Sequence, residues 1–144
     1  MPTNVNPIEL QNMQVGINGP DGANTLFISA GKAQIYANVS TAQQQQLQQS
    51  FSYFINLDPK LTRSQFVRSI AVCGISNVRL SHAGASTYWN ANWAMGSVRS
   101  IWDDDTGNIQ LLFDVSLFSA NALNITTVEV AFQVMTLAQM PIQS

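Results

Sequence analysis

The sequence predicts an all-β chain folded as a two-sheet antiparallel sandwich, with a jelly roll as its more specific form and at most one short helix, near residues 41–49. Three observations carry this. Apolar and polar residues alternate over long stretches of the C-terminal half, and runs of β-branched and aromatic residues recur through the first half. Turn residues separate these runs at the spacing of about seven to nine short strands. The 144 residues fit one domain, 1–144, with residues 1–10 reading as an N-terminal arm, and 46% hydrophobic content is enough for a core.

In chain order, Met13 to Ile17, Thr25 to Ser29, Ala33 to Val39, Phe51 to Leu57 and Val67 to Leu80 have strand composition. Gly19-Pro20-Asp21-Gly22 and Ala30-Gly31-Lys32 punctuate them, and Asp58-Pro59-Lys60 ends one run. The exception is Ser40-Thr41-Ala42 followed by the tract QQQQLQQ. Ser40 or Thr41 can cap a helical turn there, and glutamine is a fair helix former, but Leu47 is the one apolar anchor before Phe51. A polar loop or a helical turn on the surface is expected.

The C-terminal half is the best patterned. Ile109, Leu111, Phe113, Val115 and Leu117 fall on one face of a strand with Gln110, Asp114 and Ser116 on the other. Val128, Val130, Phe132 and Val134 repeat the pattern after the loop at Ser119–Ala122. The turn chemistry of Asp104-Asp105-Thr106-Gly107 closes a hairpin that sets Trp102 opposite Ile109, Ser100 opposite Leu111 and Val98 opposite Phe113. Continuing the count across the next loop sets Phe113 opposite Val130 and Val115 opposite Val128. Arg99 then lies diagonal to Asp114, an expected exposed ion pair.

The stretch YWNANW, Tyr88 to Trp93, fits the same scheme. A strand running from Ala85 to Trp102 would far exceed the usual ~3–10 residues. Gly96-Ser97 suits a two-residue turn of type II′, which sets Met95 opposite Val98, Trp93 opposite Ser100 and Ala91 opposite Trp102. Trp89 and Trp93 then share the core face. Tyr88, Asn90 and Asn92 point outward as a row of one aromatic and two amides, able to hydrogen-bond a sugar or a neighbouring subunit, or simply to face solvent.

Only 10% of the residues are charged, against roughly 25% in average chains. By mass scaling, the folded chain shows about 7,300 Å² of surface, or about 500 Å² per charged side chain. With a net charge of −2, repulsion between copies is weak, which favours self-association. The basic residues Lys32, Lys60, Arg63, Arg68, Arg79 and Arg99 are scattered and outnumbered by acids, which argues against a nucleic-acid partner. Cys73 stands alone, so no internal disulfide forms, and its neighbours Val72 and Ile75 read as packing for a buried thiol.

Catalytic chemistry finds little support. His82 is the one histidine and has no nucleophile elbow beside it, and one His with one Cys does not make a zinc set. The run Asp103, Asp104, Asp105 can bind calcium in principle. Counted as an EF-hand loop, however, it places Asn108 where glycine is required and ends at Asp114 on a strand, so a turn is the better reading. Nothing brings Glu129, Asp114 and Asp58 into one cleft for glycoside hydrolysis. The acceptor strings at Asn38 and Asn124 read as chance matches, and no cofactor is expected. The N-terminus MPTNVNPIEL shows no signal pattern, and no apolar run reaches membrane-span length, so synthesis in the cytoplasm and a place in a virion or extracellular particle are expected.

The function expected is a non-enzymatic structural subunit packing into a homo- or hetero-oligomeric particle, such as a virus or phage coat, decoration or tail component. Its contact regions would be the arm through Leu10, the Gln tract and Met140-Pro141-Ile142. The alternative is a lectin-like carbohydrate-binding module, with a glycan held by Tyr88, Asn90 and Asn92 or by Asp103, Asp104 and Asp105.

Overall fold

A computed structural model of the chain describes residues 2–20, 22–37, 47–81, 91–119 and 125–142. These form eight strands: β1 Thr3–Asn4, β2 Pro7–Gly19, β3 Gly22–Ala37, β4 Leu47–Leu57, β5 Phe66–Ser81, β6 Ala91–Trp102, β7 Ile109–Ser119 and β8 Ile125–Ala138. They pair into two four-stranded sheets, β1-β4-β7-β6 (sheet A) and β2-β3-β8-β5 (sheet B), which pack into the expected sandwich. Every pairing is antiparallel except that of β1 with β4. No described residue is helical. Leu47, Gln48 and Gln49 belong to β4 and pair with β7, so the expected helix does not reach them, and residues 38–46 lie outside the described residues. The stretch read as an arm is sheet-bound, with Thr3–Asn4 in β1 and the Pro7–Leu10 stretch opening β2.

The alternating strands β7 and β8 are each an interior strand of a different sheet. β7 lies between β4 and β6, and β8 between β3 and β5. The expected pairing of Phe113 with Val130 and Val115 with Val128 is therefore incorrect. A strand with one apolar face is equally well served by an edge-to-edge neighbour or by a facing sheet, and here the two apolar faces meet across the core. Ile109, Leu111, Val115 and Leu117 of β7 and Val128 and Val130 of β8 are all 0% exposed, and Phe113 is 1% exposed.

The hairpin register was legible: Trp102 pairs with Ile109, Ser100 with Leu111 and Val98 with Phe113. The chain does not reverse at Gly96-Ser97, however. β6 runs straight through, and Met95 pairs with Val115 and Val98 with Phe113, so Gly96 and Ser97 together oppose the single residue Asp114. This is a β-bulge. It produces the same switch of apolar positions, from Trp93 and Met95 to Val98 and Trp102, that a reversal would. Glycine fits because a Cβ at Gly96 would sit 3.2 Å from the Asp114 Cβ.

Ala30-Gly31-Lys32 likewise does not break the chain. β3 is continuous, and Thr25, Phe27, Ser29, Ala33 and Ile35, all buried, keep one parity across Gly31. The Gly19–Gly22 turn forms as expected, with Gly22 at φ +113 and paired to Gly19. At the same end of the sandwich, where Phe66 stacks on Trp102, the crossover after β4 is stitched to the β6–β7 turn. Leu61 N donates to Gly107 O (2.8 Å), Trp102 Nε1 to Leu61 O (3.0 Å) and Asn108 Nδ2 to Leu57 O (3.2 Å).

Candidate functional site

The outer faces of the two sheets differ in kind. On sheet A, the residues between the core positions of β4 and β7 are mostly polar and bond to one another across the strands. Ser50 Oγ and Ser116 Oγ are 3.0 Å apart, Ser52 Oγ donates to Asp114 Oδ1 at 2.7 Å, and Gln110 Nε2 donates to Asn56 Oδ1 at 3.0 Å. Phe54, Leu112, Ala94 and Ile101 are apolar members of this face. The Arg99–Asp114 ion pair does not form; Asp114 Oδ1 accepts the Ser52 hydroxyl. Among the described residues the ion pair is Lys32 Nζ to Glu129 Oε1, at 3.3 Å.

Sheet B presents apolar side chains instead. Directly paired residues share a face, so the register defines rows across all four strands. Met13, Ile28, Met135 and Ile70 make one such row, and Val15, Leu26, Leu137 and Arg68 make the next. Met13 is 60% exposed, Ile70 54% and Val72, one row further on, 61%. Toward the other end the face turns polar, with Glu9 and Lys32 paired in one row and Glu129 in the next. Contiguous exposed apolar patches of this kind are uncommon on monomeric proteins.

The sequence carried a signal for this face that the strand-by-strand reading missed. Leu26-Phe27-Ile28, Ile70-Ala71-Val72-Cys73 and Val134-Met135-Thr136-Leu137 do not alternate. Each is apolar, or nearly so, on both faces, which is the pattern of strands covered on both sides. The three runs lie in three adjacent strands of sheet B.

Of the residues singled out for ligand binding, Tyr88 and Asn90 lie outside the described residues, as do Trp89 and His82. Asn92 is placed in β6, where its backbone pairs with Phe118. Trp93 is half-buried and packs against the core as expected, although its Nε1–H has no partner among the described residues. Asp103, Asp104 and Asp105 form the expected turn, and their carboxylates lie within 4.8 Å of one another. Asp103 is taken up by the turn itself. Its Oδ2 accepts the Thr106 hydroxyl at 2.7 Å, its Oδ1 accepts the Asp105 N–H at 3.4 Å, and its carbonyl accepts the Gly107 N–H at 2.7 Å. Asp104 and Asp105 are exposed.

A second concavity, of about 510 Å³, opens between β2, β3 and the Asp58-Pro59-Lys60 turn. Asn12, Gln14, Ser29, Asp58 and Lys60 supply its polar lining, with Phe27 and Ile142 as apolar walls. Ser29 Oγ donates to Asn12 Oδ1 at 2.8 Å. Residues so far apart in the chain gave no local motif, so this groove was not legible in the sequence. The Cys73 thiol is pushed up to about 11 by burial, which leaves it protonated at neutral pH and a poor nucleophile. Among the described residues no helix is long and apolar enough to cross a membrane. Comparison of the chain with protein-family models, with curated proteins and with solved structures gives no match.

Proposed function

We propose that the chain is a non-enzymatic structural subunit that packs with other protein molecules into a particle, of the kind found in virus or phage coats, decorations or tails. The observation that carries this reading is the contrast between the outer faces, one polar and hydrogen-bonded to itself, the other apolar across four strands. Leaving the apolar face in water would cost about 25 cal/mol for each Å² that a partner could cover. Two further features support the reading. Charge is sparse, at 10% of residues. The interleaved orders β3-β8-β5 and β4-β7-β6 support the jelly-roll form of the sandwich, an architecture used by viral capsid domains.

A second reading, a lectin-like module, is favoured by the groove at Asn12, Ser29, Asp58 and Lys60, where amide, hydroxyl, carboxylate and ammonium groups converge beside an apolar wall. Light scattering of the purified chain across a range of concentrations, run together with a glycan array, separates the two. The assembly reading expects a mass above that of the monomer and a silent array. A monomer at every concentration that binds a defined sugar would reject it in favour of the lectin.

A further inference from the structure

We infer that the outer face of sheet B is the docking surface for a second copy of this chain, sheet against sheet; this rests on the assembly reading above and names its first contact. The face fits a copy of itself on three counts. The first is composition. The row Met13, Ile28, Met135, Ile70 crosses all four strands without a polar residue, and it is flanked by Leu26 and Leu137 in the next row. Sheets pack face to face through apolar side chains about 10 Å apart, so a copy would bury this row as the sandwich buries its own core.

The second is charge. Around the apolar rows the register places Glu9, Lys32, Glu129 and Arg68, with Arg79 at the far end, so two acids offset two of three bases, and Lys32 and Glu129 are already paired at 3.3 Å. In a two-fold dimer the same patch meets itself, and any net charge would repel its own image. A patch left with about one net charge, at the end away from the apolar rows, keeps that repulsion small.

The third is area. Four strands run together from Thr25 to Ala33 of β3, about 27 Å long and about 19 Å across, and three continue to Tyr36, so the projection of the face is about 650 Å². Accessible surface on a face studded with side chains exceeds its projection, which brings the patch to the roughly 800 Å² per partner of a standard interface. Sheet A offers no equal: its outer face has already satisfied its serines, Asn56, Gln110 and Asp114 internally.

The test is light scattering on the full chain and on the single variants Ile70→Lys, Met13→Lys and Ile101→Lys, each first shown to be folded by circular dichroism. Ile101 lies on the sheet A face and is 40% exposed, so it serves as the control. Ile70→Lys and Met13→Lys place an unpaired ammonium at the two ends of the apolar row on both copies and should weaken association about 100-fold or more, while Ile101→Lys leaves it unchanged. Met13 is on an edge strand and 60% exposed, so its variant folds whatever happens at Ile70. If the parent chain associates and neither sheet B lysine weakens it, the face is wrong but assembly stands. If the parent chain is monomeric throughout, both readings fail.

Discussion

Replacing Phe113 by alanine lowers the unfolding free energy by about 3–5 kcal/mol, the cost of deleting a phenyl ring from a core that cannot close over the gap. Phe113 is 1% exposed and sits mid-way along β7, an interior strand of sheet A. Its ring lies 5.7 Å from that of Tyr53, centroid to centroid, and the backbone on either side is fixed by pairing to Tyr53 and Val98. Two flanking strands in register leave little freedom to collapse. Since whole domains are stable by only about 5–15 kcal/mol, the variant should unfold at much lower urea with an unchanged denaturant slope. Leu112→Ala, one residue along on the outer face, is the comparison and should cost clearly less. Equal losses at the two positions would place the core elsewhere.

Gly31→Val should be the most damaging glycine substitution, at about 3 kcal/mol or more. A Cβ at Gly31 would overlap the backbone carbonyl oxygen of Glu9 and come within 3.1 Å of Phe132 Cζ. A side chain could rotate away, but the Glu9 carbonyl is part of β2, just past the register shift between Pro7 and Glu9. Accommodating valine therefore means lifting the start of β2 off β3, which should also open that segment to proteolysis. Gly74→Val gives an internal control, because nothing lies within 4 Å of its Cβ position. A β-branched residue suits an open strand site, so that variant should melt at or above the parent temperature. Equal melting of the two variants would remove the close approach of β2 to Gly31 from the account.

These two glycines also show how far the sequence could be read. Apolar parity was the reliable signal. It holds across Gly31, where Phe27 and Ser29 are in step with Ala33 and Ile35, and the strand runs on; it switches at Gly96, where Trp93 and Met95 are out of step with Val98 and Trp102, and the strand is irregular. Parity fixes which residues share a face, but a two-residue reversal and a bulge give the same switch, so it could not choose between them. The same degeneracy explains β7 and β8. Their inward faces were read correctly, while their placement in opposite sheets depends on long-range contacts that leave no local mark. The hairpin at Asp103–Asn108 was legible because its turn chemistry fixes its register.

The candidate site was less legible than the fold. Single residues with hydrogen-bonding side chains drew attention at Asn90 and Asn92, whereas the surface that distinguishes this molecule is made of ordinary aliphatic residues and methionines. Met13, Ile28, Ile70 and Met135 lie up to 122 positions apart in sequence numbering (135 − 13) and become one row only through three strand pairings. Loss of alternation in β3, β5 and β8 was the available clue, and it points to covering on both faces before any topology is known.

Methionine oxidation by excess peroxide, followed by peptide mass spectrometry, is the most direct measurement of whether the sheet B face is covered in solution. Met13 projects from that face at 60% exposure, whereas Met95 packs against the core and serves as the internal reference. At concentrations where the chain associates, Met13 sulfoxide should form slowly, and dilution should raise its rate toward that of an open side chain while Met95 stays unchanged. A Met13 rate that is fast and identical at both concentrations would mean that the face stands bare in water.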